Sequence, residues 1–450
     1  MAGAKTRQET TMDRSIPWLL TLLIQSSLMS GTAGAAPASA ASQIAVPVGT
    51  STFAPDRLTR IDRALQQYVD ENRLAGVVAL VLRDGQPVYE RAVGWSDKEA
   101  GRKMTTDSIF RIASQTKALT SVAILALVEE GRINLADPVS RFIPTFEKTT
   151  VAIAGQGADK DNPATIVPAK RPITIRDLLT HTSGISYGTQ PEIAALYAAK
   201  GLGPAAGFGW YLADKSEPVC ESMERLGTLP FVAQPGEAFV YGYSVDILGC
   251  VVERASGVKL DEFIRTRITQ PLGMKDTQFF LPKEQRSRLA AVYASDAQGR
   301  ITRAPDGPKG QGNYIDGPRR NFSGGAGLLS TARDYARFLE MIRRGGELDG
   351  VRILAPRTVA LMRTNQVGQL HSADGLGFGF GFQTVERYGA NGMAAPGAYG
   401  WGGAYGSKYH VDPQARLVVV LMIQQLPNGT DIQDKFSNLV YQALLEPLQL

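Results

Sequence analysis

Apolar residues recur along the chain with two periods, and the period in force predicts each element. Leu58, Ile61, Leu65 and Val69 lie three or four apart, the spacing of an amphipathic helix. Residues 76–82 and 87–94 are strand-like runs joined by Arg83-Asp84-Gly85-Gln86, and Asp-Gly between such runs predicts a hairpin turn. Residues 118–128 are almost unbroken apolar sequence, closed by Glu129-Glu130-Gly131. A helix apolar on every side is a buried one, and glycine suits the position just past its end. Residues 144–172 hold several Pro, Gly and Lys and read as a loop, after which Thr174-Ile175-Arg176-Asp177 forms a capping box opening a short helix. Helices are predicted over 191–200, 209–227, 245–255 and 260–268, and Thr331-Ala332-Arg333-Asp334 caps another running to Ile342. Strands return at 377–385, 399–411 and 416–424, before a last helix over 431–445.

The order is helix and strands, a mostly helical middle, then strands and a helix. An α+β fold explains it, with one sheet assembled from both ends of the chain and a helical region, roughly 114–320, inserted between them. At 450 residues, 44% hydrophobic and 20% charged, the chain is long enough for a large core. The net charge of +5 is scattered without Lys/Arg runs, which argues against a nucleic-acid surface.

Residues 16–24 form a short apolar core followed by Ala33-Gly34-Ala35 and Ala38-Ser39-Ala40, both small-x-small cleavage patterns. Residues 1–40 are therefore expected to be a secretory leader, with the true start at Met12 and cleavage after Ala35 or Ala40. Residues 41–55 then make a linker and 56–450 the mature domain, periplasmic or secreted. No run reaches the length of a membrane span. Cys220 and Cys250 fit an exported protein, either paired or as two buried thiols, because sequence does not set the distance between them. His181, His371 and His410 are far apart in sequence and belong to no metal-like cluster, so neither a zinc site nor another cofactor is called for.

The chemistry centres on Ser114 and Lys117. Three residues apart, they share one face of a helix start, where unpaired N–H groups and the positive dipole end favour developing negative charge. Ser-x-x-Lys is the pattern of acyl-transfer enzymes whose base is lysine; the plain structural reading is a helix-capping serine and a surface lysine. Tyr241 and Tyr243 precede a helix in Tyr241-Gly242-Tyr243-Ser244, where either could relay protons or simply be a buried aromatic. Trp401-Gly402-Gly403-Ala404 puts paired glycines in a strand, a sign of a bulge or the close approach of a ligand. Gly184-Ile185-Ser186-Tyr187-Gly188 also fits the G-x-S-x-G nucleophile elbow, but it follows a helix where that elbow needs a strand.

Taken in order, Ala113-Ser114-Gln115-Thr116-Lys117, the Leu-Leu-Thr-His-Thr-Ser-Gly run at 178–184, Tyr241 with Asp246-Ile247-Leu248-Gly249, Ser323-Gly324-Gly325-Ala326-Gly327-Leu328 with Ser330-Thr331-Ala332, and Trp401-Gly402-Gly403 resemble the serine β-lactamase-related family. That family includes class C β-lactamases, DD-peptidases and family VIII carboxylesterases, and the likeness runs from about residue 58 to 445. It implies a β-lactamase/transpeptidase-like fold and an acyl-enzyme on Ser114, with Lys117 and Tyr241 sharing the base role. It also implies an oxyanion hole from the N–H groups of Ser114 and Ala404, and substrate contacts along Trp401, Gly402 and Gly403. Spacing to Asp246 and Gly249 favours Tyr241 over Tyr243. Trp401 stands where β-lactam binders carry a lysine, which points to esters rather than β-lactams; β-lactamase, DD-peptidase and transesterase are the related alternatives. A non-catalytic peptidoglycan-binding or scaffold relative is the reading from another class. The expected partner is a small ester or amide.

Overall fold

The computed structural model describes residues 53–153, 164–207 and 212–448. The expected leader, and the linker up to residue 52, lie outside the described residues. One antiparallel sheet of eight strands dominates: β1 (Gly76–Arg83), β2 (Gln86–Asp97), β3 (Arg102–Lys103), β4 (Leu376–Phe378), β5 (Gln383–Val385), β6 (Tyr399–Gly402), β7 (Lys408–Asp412) and β8 (Leu417–Met422). They lie in the order β4-β5-β6-β7-β8-β1-β2-β3. The early and late parts of the chain therefore meet where β1 pairs with β8, from Val78 opposite Met422 to Arg83 opposite Leu417.

Every residue of β1 and β8 is buried, which marks a sheet covered on both faces. Val78, Leu80 and Leu82, with Val418, Val420 and Met422, point into the larger core. Val77, Ala79 and Val81, with Leu417, Val419 and Leu421, point into a smaller one. The period-2 alternation thus serves two cores at once. Helix α1 (Pro55–Asp70) buries Ile61, Leu65 and Tyr68 in the smaller core, beside the closing helix α5 (Ile432–Ala443) with Phe436 and Val440. The larger core holds α2 (Thr116–Glu129), α3 (Ser244–Ser256) and α4 (Ala332–Arg343).

Local signals explain the element ends. Asp84 and Gly85 both take positive φ (52° and 79°), as a two-residue type I′ hairpin turn requires. Thr174 and Asp177 close a reciprocal capping box, and Thr331 Oγ1 accepts the Asp334 N–H at 3.2 Å.

Two expectations need correction. The stretch at 144–172 contains strands: Thr150–Ile153 pairs antiparallel with Thr165–Pro168 and parallel with Pro230–Phe231. The second partner is remote in sequence, so local pattern did not report the pairing. The helix expected over 209–227 is only Val219–Leu226, because Pro218 sets its start and disfavours helical backbone just before it; residues 208–211 lie outside the described residues. Cys220 on that helix and Cys250 on α3 form a disulfide, Cα atoms 4.9 Å apart. Among the described residues no helix is long and apolar enough to cross a membrane.

Candidate active site

The segment before α2 runs as a short strand, Phe110–Arg111, paired with Leu329–Ser330, and the Ile112 N–H donates to Leu328 O at 3.1 Å. Ala113 then turns with φ 45°, a left-handed conformation that costs an alanine on the order of 1 kcal/mol. Ala113–Gln115 is a 3₁₀ turn, and α2 begins at Thr116. Ser114 thus lies one tight turn ahead of the α-helix, slightly outside the first turn the sequence suggested, while Lys117 is inside it. Ser114 is partly exposed, whereas Lys117 is 2% exposed, a cation within the core.

A buried ammonium must have its three N–H groups satisfied. Lys117 Nζ donates to Ser114 Oγ at 3.3 Å, to Tyr187 Oη at 3.0 Å and to Gly325 O at 2.9 Å. It also lies 4.6 Å from the ring centroid of Tyr241. The Gly325 carbonyl is fixed from behind: Asp246 on α3 accepts the Gly325 N–H at 3.1 Å and the Ser323 hydroxyl at 2.5 Å. Burial raises the Asp246 pKa, opposed by Lys117 and these two donors.

The motif at 178–184 supports the tyrosine loop. His181 O accepts the Val240 N–H at 2.7 Å, Thr182 O accepts that of Gly236 at 2.7 Å, and Gly184 O accepts that of Val232 at 2.9 Å. The His181 ring packs 4.6 Å from that of Tyr241. Burial, with Lys117 nearby, holds the His181 pKa well below that of a free histidine, so it stays a neutral packing group. Tyr241 and Tyr243 separate clearly. Tyr243 is fully buried, its hydroxyl accepting the Gly203 N–H at 3.0 Å, and burial raises its pKa. Tyr241 faces an open cavity, and its hydroxyl accepts from Trp401 Nε1 at 3.1 Å.

That cavity, of about 410 Å³, is lined by Ser114, Tyr241, Trp401, Gly402, Gly403 and Ala404, with Gln383, Asn391, Lys408 and Gln433 among its polar residues. Pairing between β5 and β6 ends at Gln383 opposite Gly400, so Trp401 and Gly402 present an unpaired strand edge on that side. Gly403 meets the nucleophile segment directly: a Cβ there would lie 2.6 Å from Ile112 O. The Gly403 N–H donates to Ser407 O at 2.8 Å, while the Ala404 N–H has no acceptor among the described residues. Trp401 packs edge-on against Phe378 at 5.4 Å and tilted against Tyr241 at 5.5 Å, an apolar wall beside the polar pair.

All seven residues singled out from the sequence therefore converge, six on the cavity and Lys117 behind it. Sequence reasoning missed Tyr187 and the Gly325 carbonyl. Tyr187 sits inside the G-x-S-x-G stretch, where Ser186 is buried with its Oγ accepting the Gly188 N–H at 3.0 Å. Nothing in its spacing points to Lys117, 70 residues away. Among the described residues no group of His, Cys, Asp and Glu could hold a metal ion.

Several known proteins are similar to this chain over most of its length. Esterase EstB of Burkholderia gladioli is 34% identical over 399 residues, covering 85% of this chain and 94% of its own. A lovastatin esterase of Penicillium rubens is 31% identical over 398 residues, covering 83% and 94%. Among solved structures EstCE1, described as a hydrolase with promiscuous acyltransferase activity, superposes with a TM-score of 0.71 at 29% identity, covering 87% of this chain and 99% of its own. The sequence profile of the beta-lactamase family matches residues 61–443, and the chain belongs to that family.

Proposed function

We propose that this protein is a carboxylesterase-like serine hydrolase that acts through an acyl-enzyme on Ser114. The observation that carries the reading is the buried Lys117, held by Tyr187 and Gly325 with its third position toward Ser114 Oγ at the cavity wall. In its neutral form the amine keeps two N–H donors for Tyr187 and Gly325 and turns its lone pair to Ser114. Ser114 Oγ then attacks the ester carbonyl while its proton passes to Lys117. The carbonyl oxygen gains charge facing the Ser114 and Ala404 N–H groups, an oxyanion hole. As the C–O bond breaks, Tyr241 hands a proton to the leaving alkoxide and is reprotonated from Lys117. Water attacks the acyl-enzyme by the same route and releases the carboxylate. The esterase relatives support an ester substrate.

Short or medium acyl esters are the preferred class, with little β-lactam turnover. A β-lactam carboxylate loses hydration on entering the cleft and needs a cation to offset the loss. The cation lining the cavity, Lys408, is already paired with Asp434 at 2.8 Å, and Trp401 offers an indole, suited to an alkyl or aryl group. Export is the working site: the apolar leader supports it, and so does the Cys220–Cys250 disulfide, a bond that persists in oxidising compartments. A panel of p-nitrophenyl esters, a chromogenic cephalosporin and a D-alanyl peptide tests the substrate. A cephalosporin kcat/KM about tenfold above that for p-nitrophenyl butyrate, roughly 1.4 kcal/mol of transition-state preference, contradicts the ester reading. N-terminal sequencing that finds Met1 or Met12 on the functional protein contradicts export.

A further inference from the structure

A larger cavity, of about 760 Å³, shares no lining residue with the Ser114 cavity. That volume falls within the range of roughly 300–1,000 Å³ typical of small-molecule sites. Its apolar lining includes Met274, Phe279, Phe280 and Phe322, with Phe322 edge-on to both Phe279 (5.4 Å) and Phe280 (5.9 Å). Phe280 is only partly buried, so apolar surface faces the opening.

Three cations also line the cavity: Arg265, Lys275 and Arg319. Arg265 is neutralised by Glu262 at 2.7 Å. Arg319 donates to a carbonyl, Leu281 O, and among the described residues neither it nor the Lys275 ammonium has an ion-pair partner. The acid at this cavity, Asp261, is half-buried, and burial raises its pKa. An aromatic floor beside Lys275, without an ion pair among the described residues, and Arg319, which has only the longer-range pull of Asp316, complements an amphipathic anion.

We propose that this cavity is a second binding site, for a single-chain alkyl carboxylate, with the chain on the phenylalanine floor and the carboxylate met by Lys275 and Arg319. The choice of a carboxylate over other anions rests on the hydrolase reading, because ester cleavage releases one. The floor is continuous in sequence with residues that hold the reaction centre. Phe322 leads directly into Ser323, bonded to Asp246; Gly324, whose carbonyl accepts from Thr120 at 2.8 Å; and Gly325, the acceptor of Lys117.

Calorimetric titration of the full chain carrying Ser114→Ala with sodium decanoate, below its micelle concentration, tests the proposal. Decanoate should bind, and Lys275→Glu, Arg319→Glu and Phe280→Ala should each weaken it at least fivefold. Decanol, which has the chain without the charge, should bind at least tenfold more weakly than decanoate. Three outcomes overturn the site: no binding, equal binding of decanol, or full affinity in the rim and floor variants. Tighter binding of decyl phosphate than of decanoate overturns the carboxylate assignment. The Ser114→Ala protein need not turn over for this measurement, so absence of binding counts against the cavity alone. Absence of ester hydrolysis by the parent protein counts against the hydrolase reading alone.

Discussion

Replacing Tyr187 by Phe isolates the residue that sequence reasoning did not find. The change removes one oxygen and keeps the ring, which packs edge-on against Tyr241 at 5.9 Å and Tyr243 at 4.9 Å. What it deletes is one of three acceptors on Lys117, the Tyr187 hydroxyl at 3.0 Å. A hydrogen bond to a charged group contributes about 1.5–3 kcal/mol, and burial at 2% exposure leaves water little access to replace it. If Tyr187 holds Lys117 toward Ser114 throughout the reaction, kcat/KM for p-nitrophenyl butyrate should fall roughly 10- to 150-fold at its pH plateau. A purely structural tyrosine would lower stability and leave kcat/KM of the folded protein in place. The assay is therefore kcat/KM of the folded variant, with near-UV circular dichroism as a check on folding. A folded Tyr187→Phe protein within twofold of the parent refutes the assignment.

Three further perturbations follow from the same structure. Gly403→Ala puts a Cβ 2.6 Å from Ile112 O, forcing the Ala404 N–H and the Ser114 turn apart; kcat should drop on the order of 100-fold with KM little changed, and an unchanged kcat would separate that turn from the reaction. Removing the Cys220–Cys250 disulfide, which spans 30 residues, should cost about 3–4 kcal/mol in urea unfolding; a loss under about 1 kcal/mol contradicts its structural role. His410 is buried and stacked on Tyr441, and burial lowers its pKa to about 4. The unfolded chain therefore takes up a proton near pH 6.5 that the folded one refuses, and stability falls as pH drops from there toward 4, by about 3 kcal/mol from this residue. His410→Phe should flatten that slope, and an identical slope in both proteins disproves the buried-neutral assignment.

The sequence was most informative where local chemistry alone dictates structure. The Asp84-Gly85 turn, the Thr174 capping box, the all-apolar α2 and the strands of the sheet centre could be read directly, because period, cap and turn residues act within a few positions. The Ser114, Lys117, Tyr241 and Trp401 motifs were legible through resemblance, each being structural by default when taken alone. What escaped depends on partners far along the chain. The strand at 150–153 is completed by residues 230–231, and Lys117 meets Tyr187 and Gly325 only after folding. The disulfide belongs to the same class, since two cysteines on different helices announce nothing about their distance. The choice between Tyr241 and Tyr243 narrowed for a physical reason: one hydroxyl is buried on the Gly203 N–H, while the other opens to the cavity.

The central claim is that Ser114, and not the serine of the G-x-S-x-G stretch, carries the acyl group. Incubation with a fluorophosphonate probe, followed by intact-mass measurement and peptide mapping, tests it most directly. A single adduct on Ser114 is expected, lost in Ser114→Ala and retained in Ser186→Ala. An adduct on Ser186, or undiminished labelling of the Ser114→Ala protein, would contradict it.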